Sequence, residues 1–289
     1  MASELFNSHF GFRETPFALT PDPEFLYWSA LHRKAYTVLE YGVVTGAPIT
    51  VLTGEVGAGK TTLLRRLLGS ITADLTVGLM SNAQADRGDL LRWVLAAFGL
   101  DAPDRADPVA MFHAFQDFVV REYSEGRRVL LIIDEAQNLG ARRLEELRML
   151  TNVNSGKDEL LQLVLVGQPE LKGLLRSPNL RQFAQRVSIF YHLKPLDHEG
   201  TTQYIQHRLR HVGGKGDEFS AAAVARIYSE SHGVPRVTNK LCELSLVYAA
   251  MSDSPTVELE HVVEVLDDGL FIDTEPFVLG PDALSKAAE

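Results

Sequence analysis

Residues 49–62 constrain the fold most. An apolar run, Ile49-Thr50-Val51-Leu52, leads into Gly54-Glu55-Val56-Gly57-Ala58-Gly59-Lys60-Thr61, and an apolar helical pattern runs on from Thr62 to Leu68. Strand, glycine-rich turn and helix in that order match the P-loop pattern together with both of its context requirements. The glycines let backbone N–H groups curl around a phosphate without Cβ clashes, and the following helix adds the positive end of its dipole. Lys60 then reaches the β- and γ-phosphates and the Thr61 hydroxyl ligates Mg²⁺, which makes ATP and Mg²⁺ the expected ligands of the stretch from Gly54 to Thr62. The plain alternative, a glycine turn that happens to precede a helix, is weakened by the correct flanks on both sides.

Four more strand-like runs follow, at Leu75 to Met80, Val129 to Ile133, Leu161 to Val166 and Val187 to Tyr191. They alternate with helical patterns that include Asp89 to Phe98 and Arg142 to Thr151. This alternation predicts an α/β fold whose parallel sheet is covered by helices on both faces. Upstream, Phe10, Phe12, Phe17, Phe25, Tyr27 and Trp28 are punctuated by Pro16, Pro21 and Pro23, a turn-rich stretch that must dock on something. A helical pattern from Leu31 to Val44 ends at Gly46-Ala47-Pro48. After Pro195 the strand signal fades. Asp197 and Ser220 read as N-caps, Gly233 as a helix stop, Pro235 as the first turn of a helix towards Met251, and Glu258 to Leu266 as one more short helix. The expected organisation is an N-terminal segment and helix packed on the core (1–46), an α/β nucleotide-binding domain (47–195), a small helical domain (196–270) and a polar tail (271–289).

The strand Val129 to Ile133 delivers Asp134 and Glu135 at its C-terminal end, where open α/β sheets bind ligands. Asp134 would hold Mg²⁺ through its water shell and Glu135 would orient and polarise an attacking water. Alone, an acidic pair after a strand is often a solvated strand end; beside a P-loop it gains a role. Gln168, after Val164-Leu165-Val166-Gly167, stands where an amide touches the γ-phosphate or the water, or else is a loop residue. Arg186 precedes a strand and Arg236 opens a helix. Each is either a guanidinium that neutralises γ-phosphate charge, in one case from a neighbouring subunit, or a surface ion-pair partner.

Composition narrows the classes. Twenty-eight Lys and Arg against thirty-eight Asp and Glu give a net charge of -10, so bulk charge attracts neither nucleic acid nor anionic membrane. No run of about eighteen apolar residues and no N-terminal leader pattern is present, and a cytoplasmic location is expected. The single cysteine, Cys242, lies among leucines and reads as a buried apolar residue. His207 and His211, one helical turn apart with Arg208 and Arg210 between, read as a solvated basic face rather than a metal site. The groups Arg121, Arg127, Arg128 and Arg142, Arg143, Arg148 are interleaved with Glu122, Glu125, Glu145 and Glu146 and read as mixed-charge faces.

Phe10-Gly11-Phe12-Arg13-Glu14-Thr15-Pro16-Phe17, Thr20-Pro21-Asp22-Pro23 and Phe25-Leu26-Tyr27 carry a resemblance. It continues through the P-loop, Asp134 to Leu139, Val166 to Leu171, Gln185-Arg186 and Gly233 to Arg236. Over about residues 9 to 250 the chain resembles the ExeA-like (GspA, MshM-like) bacterial AAA+ ATPases of secretion, pilus and exopolysaccharide loci. The resemblance implies that Gln168 is sensor 1, that Arg236 is sensor 2 in a helical lid, and that Arg186 is the arginine acting in trans, with Arg181 as its competitor. It also implies that the N-terminal segment packs near the adenine. The activity implied is ATP hydrolysis within a homo-oligomeric ring or helical filament that acts on a partner protein, at the inner membrane if the partner resides there. Larger ExeA-type proteins continue into a membrane segment and a peptidoglycan-binding domain; this chain stops soon after the helical part, so direct peptidoglycan binding is not expected. Related transposition regulators similar to TnsC and TniB make a DNA-linked role the alternative, and an ATP-gated scaffold that does not hydrolyse is a third.

Overall fold

The computed structural model describes residues 2–18, 25, 27–81, 89–101, 107–155 and 158–270. Thr20 to Pro23 and Leu26 of the aromatic segment, and the tail 271–289, lie outside the described residues. In chain order the elements are α1 (Ala2–Phe10), α2 (Ala30–Thr45), β1 (Ile49–Gly54), α3 (Lys60–Leu68), β2 (Leu75–Met80), α4 (Leu90–Ala97), α5 (Pro108–Ser124), β3 (Arg128–Ile133) and α6 (Gly140–Leu150). There follow β4 (Asn154–Ser155), β5 (Asp158–Glu159), β6 (Leu161–Gly167), α7 (Pro169–Leu175), α8 (Arg181–Arg186), β7 (Val187–Leu193), α9 (His198–His211), α10 (Ala221–Ser231), α11 (Pro235–Met251) and α12 (Leu259–Asp267). They form two compact units, Asp22–Lys194 and a second made of Met1–Pro21 with Pro195–Glu289.

In the first unit five parallel strands stand in the order β2-β3-β6-β1-β7. From β1 the chain crosses to the edge at β2, works back through β3 and β6, and then passes to β7 on the other side of β1. A sheet with that reversal opens a ligand crevice beside the C-terminal ends of its central strands. Alternate residues of each strand serve opposite faces. Val51, Leu131, Ile133, Leu163 and Leu165 face a core closed by α4 to α8, which contribute Val94, Phe115, Leu147, Leu171 and Phe183. Leu52, Leu130, Ile132, Val164 and Val166 face a second core closed by α2 and α3 through Leu39, Leu63 and Leu67. Each such fully buried side chain contributes about 1.5–3 kcal/mol. β1 and β6 are buried along their whole length, which is why their sequences, Thr50, Thr53 and Gln162 apart, are apolar without alternation.

In the second unit α9 to α12 pack around Ile205, Leu209, Ile227, Leu241, Leu246 and Val262, all essentially inaccessible. Asp197 and Ser220 cap α9 and α10 as their sequence suggests, accepting from Gly200 and Ala223 N–H. The N-terminus differs from its expected grouping: Ala2–Phe10 is helical ahead of the turn-rich stretch, and residues 1–21 group with the C-terminal helices rather than with the P-loop core. The cause lies in Phe6, Phe12 and Phe17, which are buried, Phe17 edge-on to Phe219, and in Arg208, whose Nε donates to Pro16 O at 2.6 Å and Nη2 to Ala18 O at 3.2 Å. Arg208 is therefore not part of a solvated basic face; it is buried and satisfies the carbonyls of the docked strap. Cys242 is buried, and burial raises its thiol well above the ordinary range.

Candidate functional site

The parallel register brings three strand ends together. Leu52 and Thr53 of β1 stand beside Val166 and Gly167 of β6, and Leu165 stands beside Ile133 of β3, so the chain leaves all three strands at the same sheet edge. Gly54 to Gly59 leave β1, Asp134 and Glu135 leave β3, and Gln168 leaves β6.

Within the loop Gly57 and Gly59 adopt φ of 79° and 96°. Ala58 is buried, Val56 is exposed, and Lys60, Thr61 and Thr62 form the first turn of α3. Lys60 is buried, and its Nζ donates to Gly54 O at 2.8 Å and to Glu55 O at 2.9 Å. Burial pulls the Lys60 pKa down, and the carboxylates of Glu135, Asp134, Glu55 and Glu170 oppose that shift. Burial pushes Glu55 up, with Glu170 adding to the effect. The Thr61 hydroxyl donates to Asp134 Oδ2 at 3.2 Å. Asp134 is buried and its pKa is raised, chiefly by desolvation and despite the N–H of Glu135 donating to Oδ1 at 3.0 Å. A buried carboxylate oxygen and a hydroxyl oxygen side by side suit a hard divalent cation such as Mg²⁺, whose charge would relieve the cost of burying Asp134.

Glu135 has φ of 56°, in the left-handed region that a non-glycine residue enters at a cost of about 1–3 kcal/mol. Its Oε2 accepts from Gln137 Nε2 at 2.6 Å and from Gln168 Nε2 at 2.9 Å. Gln137 Oε1 in turn accepts from Gln168 N–H at 3.0 Å. Glu135 and Gln168, expected separately, are thus joined directly and again through Gln137, which lies in the stretch that carries the resemblance but for which no role was expected.

The arginines differ. Arg186 ends α8 and donates from Nη1 to Thr151 Oγ1 at 2.7 Å and Thr151 O at 3.2 Å, and from Nη2 to Asn152 Oδ1, at the end of α6. Arg181 begins α8, is exposed, and its side chain makes no hydrogen bond or ion pair among the described residues. Arg236 lies in the first turn of α11, in the helical unit, and is exposed.

The AAA domain family profile matches residues 44–175, the span from the end of α2 to the end of α7. With the strand order and the P-loop at β1, that match decides the fold. The core has the AAA+ fold. General secretion pathway protein A of Aeromonas hydrophila is 37% identical over 245 residues, covering 85% of this chain. The chain spans about half, 45%, of that relative's length. Among solved structures, the AAA+ core and its C-terminal helices are similar to the Aeropyrum pernix ORC1 protein in a structure with DNA, with a TM-score of 0.60, 18% identity, and coverage of 88% of this chain and 69% of that one. A RuvB mutant of Thermotoga maritima gives a TM-score of 0.52 at 19% identity, covering 86% and 72%. Among the described residues no helix is long and apolar enough to cross a membrane.

Proposed function

We propose that the chain hydrolyses ATP with Mg²⁺ in a homo-oligomeric ring or filament and uses the cycle to drive or regulate a partner assembly of the secretion, pilus or exopolysaccharide type. The observation that carries hydrolysis is the held carboxylate of Glu135. A site that only bound nucleotide would have no use for a strained, doubly hydrogen-bonded acid one residue beyond Asp134. The P-loop N–H groups and Lys60 bind the phosphates, Thr61 and Asp134 hold the Mg²⁺ shell, and Mg²⁺ would neutralise charge building on the phosphates. Glu135 would orient and polarise the water, Gln168 fixes Glu135 through its side-chain amide, and as sensor 1 Gln168 would answer to the γ-phosphate. Arg236 would act from the helical unit as a second sensor. The similarity to a secretion-pathway protein supports the partner class. Location at the cytoplasmic side, through that partner, is part of the same reading.

For the arginine supplied in trans, the geometry favours Arg181. Arg186 spends its donors on Thr151 and Asn152 of its own subunit, where it ties α8 to the end of α6, whereas Arg181 is exposed and unengaged among the described residues.

The deciding experiment is steady-state ATP turnover with Mg²⁺ by wild type, Lys60→Ala and Glu135→Gln. Lys60→Ala is expected to lose ATP affinity by calorimetry, and Glu135→Gln to keep affinity and lose turnover by about 10²–10⁴-fold. Undiminished turnover in Glu135→Gln would leave a binding scaffold as the better reading. An ATP-dependent mobility shift on duplex DNA at low salt would instead favour the DNA-linked alternative.

A further inference from the structure

Underneath the P-loop lies a buried histidine to which the site chemistry above gives no part. Ser29 caps α2, its Oγ accepting from His32 N–H at 3.1 Å and standing 2.7 Å from His32 Nδ1. His32 Nε2 stands 3.0 Å from Ala58 O, and the ring is 5% exposed. The protons of this chain of bonds are fixed by their acceptors. Ala58 O can only accept, so Nε2 carries the hydrogen; in a neutral ring Nδ1 then accepts, and the Ser29 hydroxyl donates to it. Burial holds the ring below the usual histidine range, in keeping with the neutral form.

The Ala58–Gly59 peptide is trans and planar, so its C=O and N–H point in opposite directions. With Ala58 O drawn to His32, the Gly59 N–H is turned away from α2. A flipped peptide would aim the Gly59 N–H at Nε2–H, donor against donor. The ring also fills the space beside Gly59, where a Cβ would come within 2.9 Å of Nε2. We infer that His32, oriented by Ser29, is a positioning residue that presets the Ala58–Gly59 peptide so that the loop offers N–H rather than C=O to a phosphate of the nucleotide. This rests on the nucleotide-binding reading and adds to it the part of the protein that shapes the cradle before any ligand arrives.

Two measurements test it. In the whole, nucleotide-free chain, ¹⁵N–¹H correlation of the imidazole at neutral pH is expected to give His32 as the Nε2–H tautomer with Nδ1 unprotonated; the Nδ1–H tautomer would overturn the proposal. In calorimetry with Mg-ATP, His32→Leu is expected to weaken binding by about tenfold. His32→Gln, whose carboxamide N–H has nearly the reach of Nε2–H, is expected to stay within about threefold of wild type. Turnover should follow as a raised KM with kcat largely kept. Equal affinity in wild type and His32→Leu, or no rescue by glutamine in a folded variant, overturns the proposal and leaves the nucleotide reading intact. A wild type that binds no ATP overturns both. Should His32→Leu fail to fold, the tautomer of the wild-type ring and the affinity of His32→Gln still decide.

Discussion

A single carboxylate, that of Glu135, is held by the side-chain amides of Gln137 and Gln168, and the Gln137 amide oxygen accepts in turn from the backbone N–H of Gln168. The arrangement ties the end of β3 to the end of β6, so the position of the acid follows the position of Gln168. Removing the intermediary should therefore misplace a group that stays present. Gln137→Leu is expected to lower kcat by about ten- to a hundredfold, the scale on which small displacements of a positioned group act, while ATP affinity by calorimetry stays near wild type. An unchanged kcat would mean that Gln168 alone positions Glu135. At this scale the sequence was informative where a residue type has one use. Lys60 and Thr61 follow from the P-loop spacing and Asp134 and Glu135 from their strand end once the P-loop is beside it, and the fold does bring the four together. Gln137, Ser29 and His32 were not legible, since a glutamine after an acidic pair, or a serine three residues before a histidine, describes an ordinary helix cap equally well until the fold supplies the partner.

Elements were read well where burial dictates composition. The five strands of the sheet emerged close to their expected limits, β1, β3 and β6 because they are buried nearly throughout and β2 and β7, only partly buried, because apolar residues still lead their runs; the caps at Asp197 and Ser220 gave the starts of α9 and α10. The docking of α1 escaped because its partners are far away in sequence. Two connections between elements lend themselves to measurement. Glu122, at the end of α5, accepts from Arg127 Nε at 2.7 Å and Nη2 at 2.9 Å and from Thr76 Oγ1 of β2. Arg127 above all, then Thr76, hold its pKa at about 2. A folded-state pKa below the unfolded one contributes stability that is complete above the ordinary carboxylate range and is lost as pH falls towards about 2. Glu122→Gln should accordingly unfold at lower urea than wild type at pH 7, and the difference should shrink on acidification from about 4.5 to about 2. A difference independent of pH would place the cause elsewhere. In the helical unit, Leu196 N–H donates to Gly233 O at 3.0 Å, and a Cβ on Gly233, at φ 74°, would lie 1.8 Å from Leu196 O. Backbone against backbone leaves no side chain to give way. Gly233→Ala is expected to destabilise that unit by about 3 kcal/mol, visible as a fall in its calorimetric midpoint.

The whole molecule is expected to work only in company. Arg181→Ala should keep ATP binding and lose turnover, and mixing it with Glu135→Gln subunits should restore part of the rate, because some interfaces then combine an intact acid with an intact arginine. Arg186→Ala should behave differently, lowering thermal stability through the loss of its bonds to Thr151 and Asn152. Co-assembly without recovery would place the trans arginine elsewhere than Arg181. The strap made by residues 2–18 has a further effect, on the order in which the protein can be completed. It leaves the ribosome well ahead of the helices that receive it, since Arg208, which binds its carbonyls, follows Pro16 by 192 positions. At about 5–20 residues per second, Phe6, Phe12 and Phe17 must wait roughly 10–40 seconds for the surface that buries them. The aromatic strap thus stays open to capture by chaperones until the helices that receive it have been made.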